Sequence, residues 1–125
     1  MSSILPNPEA LQAFLASPDE GSVVMLNLLK FKPDGGAEAY GRYAEAVQKL
    51  VEKRGGRIVY AGRAQELLVG EETWDSIVLV EYPSRKVFLD MITSTEYQAV
   101  HGHREAGLER TVLYATKPGG LFGNK

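Results

Sequence analysis

The stretch VVMLNLLKF, Val23 to Phe31, constrains the fold more than any other part of the chain. In an extended backbone successive side chains point to opposite faces, so the stretch divides into two sets. Val23, Met25, Asn27, Leu29 and Phe31 form one face; Val24, Leu26, Leu28 and Lys30 form the other. Both are mostly apolar. An antiparallel strand with one wet face alternates apolar and polar residues, and this one does not, so both faces need cover. Ser76 to Tyr82 (SIVLVEY) behaves the same way, with Ile77, Leu79 and Glu81 opposed to Val78, Val80 and Tyr82. The exception is Asn27, an amide at the centre of the first run. A buried amide left unpaired costs about 1–3 kcal/mol, so it needs backbone partners, a neighbouring side chain or a ligand.

Helical stripes supply cover for one face. Asn7-Pro8-Glu9 is an N-cap, a first-turn proline and a first-turn acid, and Leu11, Phe14 and Leu15 follow at helical spacing. This predicts a short amphipathic helix from about Pro8 to Ala16. After the break Pro33-Asp34-Gly35-Gly36, the residues Tyr40, Tyr43, Ala44, Val47, Leu50 and Val51 make the stripe of a longer helix, stopped by Gly55-Gly56. Arg57 to Arg63 reads as a strand. Pro83-Ser84 opens another helix with Val87, Phe88 and Met91 inward. Thr93 and Glu96 have capping-box spacing, so that helix restarts there and carries Tyr97, Val100, His101, Arg104 and Leu108 on one face. Thr111 to Lys117 is the last strand, and the tail 118–125 is expected to be loose.

Without the leading helix the order is β-α-β-β-α-β, which predicts an α+β, ferredoxin-like fold: a four-stranded antiparallel sheet with both long helices on one face. At 125 residues and 44% hydrophobic, residues 1–125 suit one domain, with its core at about 22–117. The short leading helix cannot cover the second face of the sheet. A bare face would exceed the few hundred Å² of contiguous apolar surface that a monomer usually exposes. Packing it on the same face of a second copy solves the problem with two-fold symmetry, so a homodimer through sheet-to-sheet packing is expected. The alternative cover is the chain's own N-terminal segment and tail.

Charge and composition exclude several classes of partner. The net charge is −2, with 14 basic and 16 acidic residues scattered along the chain. With no basic block, neither nucleic acid nor an anionic membrane is expected as a partner. The absence of cysteine removes disulfides, thiolate nucleophiles and Cys-ligated metals. MSSILPNPEALQAF has no basic leading region and is interrupted by Pro6, Pro8 and Glu9, so it does not read as a signal peptide. No apolar run approaches the roughly 20 residues of a membrane span. A cytoplasmic protein is the expectation.

Several motifs in order carry a resemblance. MLNLLKFK (25–32), Tyr40 and Tyr43, GGR (55–57), Trp74-Asp75, VLVEYPS (78–84), Glu96-Tyr97-Gln98 and Arg104 together resemble family 1330 among the domains of unknown function. The resemblance runs from about Pro6 to Lys117. It implies membership of the dimeric α/β-barrel superfamily, in which two ferredoxin-like sheets face each other. It implies no reaction, because relatives on this fold include cofactor-free monooxygenases, haem-degrading enzymes, lactone isomerases and proteins without known chemistry.

The residues themselves suggest a site between sheet and helices. Asn27 would orient a substrate carbonyl or hydroxyl if it faces the helices. Arg104 would hold an anion or pair with Glu81 or Asp75, since a buried guanidinium needs a counter-charge. Histidine is the residue type that exchanges protons near neutrality, which makes His101 the candidate acid or base. Tyr40, Tyr43 and Tyr97 are core residues by spacing whose hydroxyls can rim a pocket. Trp74 and Asp75 precede the third strand, as an edge cover and a turn contact or as further pocket residues. His101 and His103 stand two apart on a helix and point to opposite sides, so no metal is expected. Neither a glycine-rich phosphate loop nor a G-x-S-x-G elbow is present. Two readings follow: a cofactor-independent enzyme, of oxygenase or isomerase type, acting on a small anionic organic molecule; or a non-catalytic dimeric ligand-binding or structural module.

Overall fold

A computed structural model describes residues 6–120. The element order is α1 (Pro8–Ala16), β1 (Val23–Phe31), α2 (Gly36–Lys53), β2 (Arg57–Arg63), β3 (Ser76–Tyr82), α3 (Arg85–Ile92), α4 (Thr95–Gly107) and β4 (Leu108–Thr116). The strands form one antiparallel sheet in the order β2-β3-β1-β4, the ferredoxin-like arrangement.

Local chemistry starts each helix where the sequence places it. The Asn7 side chain accepts from Glu9 N and Ala10 N at 2.9 and 3.1 Å, and Pro8 follows it in the first turn. Ser84 caps α3 by accepting from Val87 N. The break in the following helix falls where expected, but its cap is Ser94, which accepts from Tyr97 N, and not Thr93. Thr93 closes α3 instead, donating its hydroxyl to Leu89 O at 2.8 Å. β4 begins earlier than its sequence signal, at Leu108, because that residue leaves the helix to pair with Phe31. Of the tail expected to be loose, 118–120 lie outside any helix or strand, and 121–125 lie outside the described residues.

Strand register assigns the faces. Asn27 is opposite Val78 on β3 and Leu113 on β4, and Met25 is opposite Val80 and Ala115. These residues share the face that meets the helices, where Val23, Met25, Val80 and Tyr82 join Tyr43, Val47, Val51, Phe88, Met91 and Tyr97 in the core. The opposite face carries Val24, Leu26, Leu28, Ile77, Leu79, Val112 and Tyr114, with Tyr60 from β2. Tyr114 and Tyr60 are 64% and 55% exposed there, which leaves this face open in the single chain.

Two glycines fix how the long helices meet. A Cβ on Gly107, the last residue of α4, would stand 2.6 Å from Gly36 O and 2.8 Å from Tyr40 N. A Cβ on Gly36, the first residue of α2, would stand 2.7 Å from Gly107 O. No side chain fits at either position, so the backbones touch. Lys32 N donates to Gly107 O at 2.9 Å across the same junction. This contact brings the last turns of α4 beside the first turns of α2.

Candidate functional site

A cavity of about 650 Å³ lies between the inner face of the sheet and the helices. Asn27 from β1, Tyr40 and Tyr43 from α2, and Tyr97, His101 and Arg104 from α4 all line it. The register puts Asn27 on the helix side, and the two-glycine junction sets Arg104 near Tyr40 and Tyr43. The sequence left that convergence open.

Asn27 has a fixed orientation. Its amide nitrogen donates to Met25 O at 3.2 Å and to Val78 O at 3.3 Å. Both partners are carbonyl oxygens, so the NH2 group has to point at them, and Oδ1 is the atom available to the cavity. Asn27 therefore acts there as an acceptor. It can orient a hydroxyl or N–H group, but it cannot donate to a substrate carbonyl.

The tyrosines form a linked aromatic wall. The Tyr43 and Tyr97 hydroxyls are 2.9 Å apart, one donating to the other, which leaves the second O–H of the pair for a ligand. Tyr40 packs on Tyr43 with ring centroids 5.2 Å apart and on Phe31 at 5.6 Å. Burial pushes the Tyr40 phenol up to about 12, against the pull of the Arg104 charge. Burial also raises Tyr43 well above the ordinary range, with Tyr97 adding to the effect and Arg104 opposing it. These hydroxyls stay protonated at neutral pH and serve as donors, not bases.

Arg104 is only 7% exposed and is the charged residue that closes this wall. It supplies a positive charge to the lining, and no aspartate or glutamate is among the described lining residues. His101 is half-buried, its ring 5.7 Å from that of Tyr97. Its Nδ1 is 3.9 Å from Glu105 Oε1, too long for a hydrogen bond. The residue lines the cavity and keeps 25% of its side chain exposed. His103 is exposed and does not line the cavity.

Three expected site residues lie elsewhere. Glu81 is opposite Val24 on the other face of the sheet and pairs with Arg57 at 2.9 Å. Asp75 accepts from Phe31 N at 2.8 Å and lies 3.6 Å from Lys30, holding the start of β3 against the end of β1. Neither is the cavity partner expected for Arg104. Trp74 stacks under the Arg110 guanidinium at 4.3 Å and lines a separate pocket with Leu28 and Ile77. Conversely, Leu11 and Phe14 of α1, with Tyr82 and Thr111 of the sheet, line the cavity without having been picked out. Alternation from Val78 and Val80 already put Tyr82 on the inner face. Nothing local signals where α1 docks. Among the described residues, no group of three or more His, Cys, Asp or Glu is placed to hold a metal ion.

The profile of the domain of unknown function DUF1330 matches residues 35–117. The chain belongs to that family. β1, which carries Asn27, precedes the matched stretch. A protein of unknown function from Rhodopseudomonas palustris is 34% identical, with a TM-score of 0.89 over 97% of this chain and 100% of that one. Its likeness therefore includes β1. More distant structures share the fold alone. A dimeric ferredoxin-like protein of unknown function from Bacteroides fragilis is 18% identical, with a TM-score of 0.56 over 78% of this chain and 97% of its own. A candidate antibiotic biosynthesis monooxygenase from Caulobacter crescentus is 16% identical, with a TM-score of 0.59 over 81% and 92%. No curated protein matches the chain.

Proposed function

We propose that this DUF1330 protein is a cofactor-independent enzyme acting on a small organic anion in the helix–sheet cavity. One observation carries the reading: Asn27, His101 and Arg104 open onto the same cavity. Arg104 attracts the anion, the tyrosine hydroxyls donate to it, and Asn27 Oδ1 accepts from a hydroxyl or N–H of the substrate. The step common to isomerase and oxygenase chemistry is removal of a proton by the neutral His101 imidazole. The substrate C–H or O–H bond breaks, the proton goes to the ring nitrogen, and the electron pair stays on the substrate as an anion facing Arg104. In an isomerase, His101 returns the proton at another atom; in an oxygenase, dioxygen is the co-substrate that receives the electrons.

A second reading, a ligand-binding module without turnover, draws support from the Asn27 amide and the Tyr43–Tyr97 pair, whose bonds are made within the chain. A thermal-shift screen of small carboxylates and phenolates separates the two when followed by mass spectrometry of the recovered ligand. A specific binder at 100 times its dissociation constant adds about 2.7 kcal/mol to the stability. Under the enzyme reading the wild type converts a hit, while His101→Ala binds it and returns it unchanged. Unchanged ligand from the wild type leaves the binding module.

We also propose that the protein is a homodimer through its outer sheet face. The open apolar face supports this, as do the related folds described as dimeric from Bacteroides fragilis and from Jannaschia. Sedimentation of the full chain tests it, and a monomer at tens of micromolar would refute it.

A further inference from the structure

Charge is confined to one part of the cavity, while uncharged polar groups, Gln48, Gln98 and the Tyr82 phenol among them, are spread along it. β1 runs beneath it, with Asn27 at the midpoint of the strand. At the Phe31 end lies Tyr40, stacked on Phe31 and backed by Gly107, with Arg104 one helical turn earlier on α4. At the Val23 end, Tyr82 is opposite Val23, Phe88 packs edge-on against Tyr82 at 5.0 Å, and Phe14 packs edge-on against Phe88 at 5.5 Å. Met91 and Leu11 complete that end. Arg85 stacks over Phe14 at 4.6 Å and donates to its carbonyl, but it is not among the lining residues. Among the described residues, the Val23 end is thus without a lining charge, and the Phe31 end is without a lining carboxylate.

We infer that the cavity takes an amphipathic carboxylate, with its head at Arg104 and a long apolar body running along β1 toward α1. This rests on the small-anion reading above and names the class of anion. A guanidinium has five N–H donors, so a carboxylate contact is compatible with the contacts Arg104 makes inside the chain. Along β3 the lining residues Val78, Val80 and Tyr82 span four residues, about 13 Å at ~3.3 Å per residue, the length of the chain of a medium-length fatty acid. A compact anion would fill only the Arg104 end and leave apolar walls unmatched. The far wall belongs to α1, a helix added outside the β-α-β-β-α-β plan, so α1 gauges the length of the ligand.

Isothermal titration of the full chain, below micelle-forming concentrations, tests the assignment with hexanoate, decanoate and decanol. Decanoate should bind at least tenfold more tightly than either of the others. Ala10→Trp adds bulk to an exposed position of α1 that lines the cavity, and should weaken decanoate at least tenfold while changing hexanoate less than threefold. Arg104→Gln should bring decanoate down to the affinity of decanol. If hexanoate matches decanoate, or Ala10→Trp weakens both equally, the tail assignment is overturned and the small-anion reading stands. If decanol matches decanoate in the wild type, the head at Arg104 is overturned. If neither carboxylate binds while the screen yields other anions, this inference alone falls; if no anion binds in either experiment, both fall.

Discussion

Gly107 and Gly102 occupy the same helix, α4, and their replacement by alanine should move stability in opposite directions. Helix propensity alone favours both changes, because alanine is better than glycine inside a helix by about 0.8–1 kcal/mol. At Gly102 a Cβ meets nothing within 4 Å, so that gain should appear nearly in full. At Gly107 the new Cβ would lie 2.6 Å from Gly36 O and 2.8 Å from Tyr40 N, both backbone atoms that no rotamer change can move. Ordinary contact needs more than 3.4 Å, so α2 and α4 must separate by several tenths of an ångström. Forcing extra methyl groups into closed packing typically costs about 1–3 kcal/mol, and the propensity gain is smaller at a helix end, so the net change should be a loss of about 1–2 kcal/mol. Urea unfolding of both variants, read by far-ultraviolet circular dichroism, supplies the comparison. If Gly107→Ala proves as stable as the wild type, the two backbones do not touch, and the placement of Arg104 beside Tyr40 loses its support.

Other perturbations bear on the site and the outer face. Asn27→Leu keeps the volume but removes the donors to Met25 O and Val78 O, and should cost about 1–2 kcal/mol in urea unfolding; a stabilised variant would show that those bonds hold nothing. For Tyr40, burial raises the folded phenol from 10.0 to about 12, so the unfolded chain ionises first. Its contribution is therefore complete below pH 10 and lost as pH rises toward 12, amounting to about 3 kcal/mol over those two units. Tyr40→Phe should flatten that part of the stability profile, and an equally steep decline in the variant would assign it to other groups. Arg104→Met removes a buried charge while keeping an apolar stem, so stability should stay within about 2 kcal/mol of the wild type while anion binding is lost; retained binding in titration calorimetry would remove Arg104 from the site. Leu79→Arg puts a charge in the middle of the outer face and should convert a dimer to a monomer in sedimentation; an unchanged sedimentation coefficient would place the interface elsewhere.

The sheet was legible in the sequence because its signal is local and repeated. The two-faced apolar pattern of Val23 to Phe31 and Ser76 to Tyr82 marked the two central strands, and the order β2-β3-β1-β4 puts them there. The helix break at residues 93–95 was legible too, though not its cap, since Thr93 and Ser94 are adjacent and either hydroxyl can serve. Leu108 was misread as helical because it falls one turn after Arg104. The chain turns into β4 there because the Gly36–Gly107 contact ends the helix and Phe31 recruits the next residue. The stripe on α4 brought out Tyr97, His101 and Arg104, and all three line the cavity. Salt-bridge partners were not legible, because a charge finds its partner through the sheet face it occupies. Alternation from Val80 and Tyr82 already placed Glu81 on the wrong face for Arg104.

Asn27 shows how one side chain can satisfy the fold and still leave a polar atom for the cavity it lines. Its two donor bonds end on carbonyls of β1 and β3, so the neighbouring backbone removes the cost of burying the amide nitrogen. The same bonds lock the rotamer and aim Oδ1 away from those carbonyls, so no further ordering is needed when a ligand arrives. An apolar residue here would make a simpler strand, as Met25 and Leu29 on either side demonstrate. What the amide adds is a fixed acceptor between the cationic end at Arg104 and the uncharged end toward α1. A molecule matched to all three regions carries an anionic head, a hydroxyl or N–H near its middle, and an apolar remainder.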